Sequence, residues 1–162
     1  MLPLRVILHP TDFSDRSQCA FELACRLARD SGAELIVVHV VQPPPFVTHG
    51  EMAKALQQAE GYRRELQERL GGLRRANPDV SMECRLADGD PMAEILRAAE
   101  ESNCDLIVLG THGRTGFRRL LLGSVAEQVL RRAPCPVLSV NVPFQDVAKR
   151  SGAGSLASAV VE

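Results

Sequence analysis

Runs of uninterrupted apolar, β-branched residues alternate along this chain with segments whose apolar residues recur every three or four positions. No other feature narrows the fold as far. "LRVILH" (Leu4–His9), "AELIVVHVV" (Ala33–Val41), "DLIVLG" (Asp105–Gly110) and "APCPVLSVNV" (Ala133–Val142) are the continuous runs. A strand with one face in water alternates polar and apolar residues. These read as strands, and "AELIVVHVV" is too continuous for a half-exposed one, so it predicts a strand covered on both faces, as in a parallel sheet. "VSMECRLADG" (Val80–Gly89) does alternate and predicts a half-exposed strand at a sheet edge. Helical spacing fills the gaps. Ala20, Leu23, Ala24, Leu27 and Ala28 share one face, with Asp12, Ser14 and Asp15 available to cap its start and Gly32 to close it. Met52, Leu56, Ala59, Tyr62, Leu66, Leu70 and Leu73 predict one long helix over about residues 51–75, its end loosened by Gly71 and Gly72. Asp90 and Pro91 open a third helix, and Val125, Ala126, Val129 and Leu130 mark a fourth.

Strict β-α alternation predicts an α/β fold: a five-stranded parallel sheet with helices on both faces, Rossmann-like. Such sheets take ligands beyond the carboxyl ends of their strands, where the winding reverses. That rule singles out "HPTDFSD" after the first strand and "LGTHGRTGFRRLLLGS" after the fourth. The two loops are neighbours only if the first and fourth strands pair, as in the strand order 3-2-1-4-5.

The whole-chain totals exclude more than they identify. A formal net charge of -1 over 162 residues lacks the basic excess that nucleic-acid or membrane-surface partners call for. Five cysteines, an odd count without CxxC spacing, read as free thiols in a reducing cytosol. "MLPLRVILHPTD" reads as a first strand and not as a signal peptide. The expected organisation is one domain over residues 1–142 and a flexible Ser/Ala/Gly-rich tail over 143–162, in a cytoplasmic protein.

The glycine-rich stretch carries the chemistry. Gly110 ends a strand, Gly113 follows, and Gly123-Ser124 opens a helix. Glycines there can take positive φ and admit a ligand to the backbone. A helix N-terminus offers unpaired N–H groups and partial positive charge to a phosphate, and serine adds a hydroxyl donor. Arg114, Arg118 and Arg119 lie between. The spacing is neither a Walker A loop nor GxGxxG. Judged on composition alone, such glycines more often make ordinary turns, Ser124 a plain N-cap, and Asp12 a helix cap or Asx-turn. His9 and His39 read as hydrogen-bonded core histidines, and His112 as a turn brace.

The pattern Gly110-x2-Gly113-x9-Gly123-Ser124 resembles the nucleotide motif of the ATP-binding universal stress proteins. "ILHPTDFSD", "VVHVV", "DGDPMAEI", "CDLIVLGTHGR" and "CPVLSV" are similar to other segments of that family in the same order, so the likeness covers about residues 4–141. It implies an adenine slot near Pro10, Thr11, Val40 and Leu109. It implies ribose and indirect Mg²⁺ contact by Asp12, and phosphate contact by Gly110, Gly113, Gly123, Ser124 and Val125, with Arg114 as a basic neighbour. An anionic Asp12 would need the cation to face phosphates. The expected ligand is ATP with Mg, without a committed catalytic residue and with slow hydrolysis at most. The resemblance also implies a homodimer paired through the last strand, Pro136 to Val140, acting as a stress-response or signalling module. The competing readings are a nucleotide-independent protein–protein adaptor and a weak ATPase of the related adenine nucleotide α-hydrolase group.

Overall fold

The computed structural model describes residues 4–42, 52–111 and 124–141. In chain order the elements are β1 (Val6–Pro10), α1 (Asp15–Ser31), β2 (Glu34–Val41), α2 (Met52–Ala76), β3 (Met82–Asp88), α3 (Pro91–Ser102), β4 (Leu106–Gly110), α4 (Ser124–Arg132) and β5 (Val137–Val140). All strand pairs are parallel, and the order is β3-β2-β1-β4-β5, as the loop pairing required.

Side-chain alternation along each strand divides the core into two layers. Ile7, Leu35, Val37 and Val108 face α1 and α2 with Ala20, Phe21, Ala24 and Leu70. Leu8, Ile36, Val38, Ile107 and Leu109 face α3 and α4 with Ile95, Ala99, Ala126 and Val129. Both faces of β1, β2 and β4 are therefore dry, which is why their sequences are apolar without alternation. β3 is an edge strand, as its alternation suggested.

Helix ends follow their residues. The Ser14 hydroxyl accepts from the Ser17 amide to start α1, and Gly32 ends it in the left-handed region at φ 69°. The Asp90 carboxylate accepts from the Ala93 amide at 2.9 Å to start α3. α2 runs through Gly71 and Gly72 to Ala76, close to its expected end, with Leu66 and Leu70 anchored in the core and Leu73 packed beside them. One expectation for α2 changes: its apolar stripe leaves the core towards the N-terminal half, where Leu56 is 58% exposed and Tyr62 51%.

Gly110 serves packing, and its φ is not positive. A Cβ there would stand 2.6 Å from the Arg16 carbonyl oxygen and 3.0 Å from the Ser17 amide nitrogen. The first turn of α1 thus rests directly on the backbone of β4. Gly110→Ala should push the two apart and cost about 1–3 kcal/mol, as overpacking does. Urea unfolding measures it, and an unchanged midpoint would show that the helix has room to withdraw.

Candidate functional site

The site begins where β1 and β4 part. Their registered pairs are Ile7↔Leu106 and Leu8↔Ile107, and no further. Continuing that register, the Val108 carbonyl would take the N–H of residue 10, but Pro10 has none. β1 stays with β2 instead, through His9↔Val37 and Pro10↔Val38, and the Thr11 amide donates to the Val38 carbonyl at 2.8 Å. The His9 side chain supplies the missing donor, with Nδ1 2.8 Å from the Val108 oxygen. A carbonyl only accepts, so Nδ1 carries the proton and Nε2 faces the Ser17 hydroxyl across a longer 3.5 Å contact.

Above the parting lies a cleft of about 510 Å³. From the first half of the chain Pro10, Thr11, Asp12 and Val40 line it. From the second half come Leu109, Gly110, Ser124 and Val125. Eight of the eleven residues singled out in the sequence therefore meet in one place. The other three, Gly113, Arg114 and Gly123, lie outside the described residues, as do His112, Arg118 and Arg119.

Their individual surroundings differ. Thr11 is buried and its polar groups have partners within the protein: its Oγ1 meets the Ser17 hydroxyl at 2.9 Å and accepts from the Phe13 amide, and its carbonyl accepts from His39 Nδ1 at 2.7 Å. It builds the floor. Asp12 is exposed at the mouth, and its carboxylate accepts from the Ser14 amide at 2.9 Å, forming the Asx-turn that its position allowed. Phe13 adopts φ 60°, an uncommon conformation for a residue with a Cβ. Its ring is held between His39, with centroids 4.9 Å apart, and the Arg69 guanidinium 4.1 Å above it. Ser124, Val125 and Ala126 form the first turn of α4 and line the cleft; the first N–H groups of a helix have no partner within it. The aliphatic side chains of Val38, Val40 and Ile95 line the same cleft and pack in one layer with Ala126 and Val129.

Sequence reasoning missed several contributors. His39 was assigned to the core by its apolar strand, yet it also lines the cleft near the carboxyl end of β2. Ser17 and Ile95 sit in helix patterns that carried no site signal. Tyr62, the chain's single tyrosine, was read as an inward stripe residue and instead forms part of the cleft wall. Only its isolation as an aromatic among charged neighbours set it apart.

A universal stress protein family model matches residues 3–141. The chain belongs to the universal stress protein family. A universal stress protein of Methanocaldococcus jannaschii is 39% identical over 142 residues, covering 86% of this chain and 84% of the relative. One from Thermus aquaticus is 36% identical over 143 residues, covering 85% and 98%. Among solved structures, universal stress protein UspA from Lactobacillus plantarum has a TM-score of 0.67 at 26% identity, covering 87% of this chain and all of that one, 100%. A universal stress protein crystallised in complex with cAMP has a TM-score of 0.64 at 27% identity, covering 86% and 98%. Among the described residues of this universal stress protein no group of three or more His, Cys, Asp or Glu could hold a metal, and no helix is long and apolar enough to cross a membrane.

The histidine beneath the cleft is held in its neutral form. Burial pushes the His9 pKa down to about 4, against the opposing pull of the Val108 carbonyl and Asp12. The sign of the consequence follows from proton counting. Between about pH 6.5 and 4 the unfolded chain holds a proton on His9 that the folded chain refuses, so folding stability falls as pH falls through that window. The loss should amount to about 3 kcal/mol. Subtracting the stability–pH curve of His9→Asn, whose amide can replace the Nδ1 donor, from that of the wild type isolates the term. Parallel curves would show that His9 is protonated in the fold.

Proposed function

We propose that this universal stress protein binds an adenine nucleotide in the cleft between β1 and β4, as a dimeric, cytoplasmic stress-response module. The observation that carries the reading is that one cavity is lined both by aliphatic side chains and by the first turn of a helix. Pro10, Val40 and Leu109 offer an apolar slot for the base. Ser124 and Val125 offer amides to phosphate oxygens, joined in the family motif by Gly110, Gly113 and Gly123 and by the Arg114 cation. Asp12, exposed at the mouth, suits a ribose hydroxyl. The ligand proposed is ATP. Mg²⁺ would arrive on the phosphates and meet Asp12, the carboxylate among the cleft's described lining residues. That a family member crystallises with cAMP supports the nucleotide class. No catalytic residue is assigned.

The dimer would form through β5. Among the described residues β5 pairs with β4 alone. The Pro136 and Val140 carbonyls accept from Ile107 and Thr111, so the even-numbered residues face β4 and the backbone of Val137 and Ser139 faces outward. An antiparallel copy would satisfy those groups.

Two measurements test this. Tyr62 is the only tyrosine in a chain without tryptophan, so its emission, corrected for nucleotide absorbance, reports on the cleft directly. ATP with Mg²⁺ should quench it saturably and, at 100 times Kd, stabilise the fold by about 2.7 kcal/mol. Gly123→Val should abolish both effects while leaving the circular dichroism of the fold intact. A wild type that ignores ATP, AMP and cAMP alike would leave the adaptor reading in its place. For the dimer, light scattering at micromolar concentration should give twice the chain mass, and Ser139→Pro, which deletes an outward-facing N–H, should give monomer. Monomer in the wild type would refute pairing through β5.

A further inference from the structure

Two thiols with no part in the cleft lie against each other at the opposite end of the sheet. Cys104 sits between α3 and β4, and Cys135 between α4 and β5. They are 31 positions apart in the chain, yet their sulfur atoms are 3.3 Å apart. A disulfide needs about 2.05 Å between sulfurs, so the remaining gap is small beside the reach of a side-chain rotation. The absence of CxxC spacing hid the pair in the sequence. It is the parallel sheet that joins them, by setting the connections ahead of two adjacent strands side by side.

The two sulfurs differ in access. Cys104 is 7% exposed, packed in the layer that contains Leu8, Ile107 and Val129. Cys135 packs at the margin of the same layer and is half-buried. Burial raises both thiols, Cys104 to about 12, with the partner sulfur and the Asp105 carboxylate adding to the effect on Cys104. Such thiols are no fast peroxide scavengers, since the thiolate is the nucleophile. They suit slow oxidation by a sustained oxidant.

We propose that Cys104 and Cys135 form an oxidation site, which a hydroperoxide converts into an intrachain disulfide and which thiols of the glutathione class reverse. The accessible Cys135 sulfur attacks a peroxide oxygen and the O–O bond breaks. With hydrogen peroxide, the departing hydroxide takes the thiol proton and leaves as water, giving a sulfenic acid on Cys135. The Cys104 sulfur then attacks that sulfur and the S–O bond breaks. This second hydroxide takes the Cys104 proton and leaves as another water. Two thiols lose two electrons and the peroxide gains them. Reduction runs through a mixed disulfide with an external thiol and ends with that thiol's own disulfide. The new bond would tie the start of β5 to the start of β4, closing a loop between positions 104 and 135 that contains α4.

The test is peptide mapping of the intact chain under non-reducing conditions. The protein is exposed to hydrogen peroxide, quenched in acid and alkylated in denaturant. The expected product is one Cys104–Cys135 linked peptide per chain, about 2 Da lighter than its two parts and lost on treatment with dithiothreitol. The thermal midpoint should rise by about 5 °C or more on oxidation. Cys135→Ser, at the more accessible position, should keep the fold and show neither product nor shift. Full alkylation of both cysteines after exposure, sulfinic acid at Cys135 without a link, or a disulfide between chains would each overturn the proposal.

Discussion

The fold has one seam at which two neighbouring strands cease to bond, and the site exists because of it. Beyond Leu8 and Ile107 the β1–β4 ladder has no donor to continue with, since Pro10 carries no N–H. Two unpaired strand ends would ordinarily leave a buried carbonyl without a partner, an expensive omission. His9 fills the vacancy at Val108 from the side, and its own far nitrogen turns to Ser17. Every buried side-chain polar atom among the described residues has a partner. The seam can therefore stay open above His9 without exposing an unsatisfied group below it.

That arrangement decides what kind of recognition the cleft can perform. The histidine beneath it is neutral, the threonine beside it is spent on internal hydrogen bonds, and the nearest wall is aliphatic. In the proposed reading, attraction for an anion comes from aligned backbone dipoles at the start of α4, supplemented by residues of the glycine-rich stretch ahead of it in the sequence. Dipoles of this kind favour negative charge at one end of a ligand while leaving the other end to apolar contact. The nucleotide proposed for the cleft, with a flat heterocycle at one end and charge at the other, matches that division. A uniformly charged or uniformly greasy molecule does not.

Much of this was legible before any coordinates, for identifiable reasons. The layer pattern was readable because dry strands cannot afford polar residues on either face, so "LIVVHVV" and "LIVLG" could be little else. The strand order followed once two loops had to share a crevice. What the letters hid was contact across long sequence distances. Gly110 reads as a strand-end glycine that admits a ligand, but the contact that demands it comes from Arg16, 94 positions earlier, whose carbonyl presses against the strand. Tyr62 reads as a core residue because its spacing continues a stripe, and spacing cannot tell where a helix overhangs its sheet. Cys104 and Cys135 share no local motif, and only the strand register brings them together.

The first turn of α1 is fastened to the tip of β4 twice, by the bare backbone of Gly110 and by the Arg16 guanidinium donating to the Thr111 carbonyl at 3.1 Å. At its other end the helix is fastened as well: Arg29 in the last turn is paired with Asp79 and bonds Asn77 at 3.0 Å, just ahead of the edge strand β3. A helix of 17 residues is a rod of roughly 25 Å. Clamped at both ends, it makes a strut between the rim of the cleft and the far margin of the sheet. Its buried face rests on the sheet between those two ends, so the rim of the cleft and the margin beside β3 are parts of one packed layer.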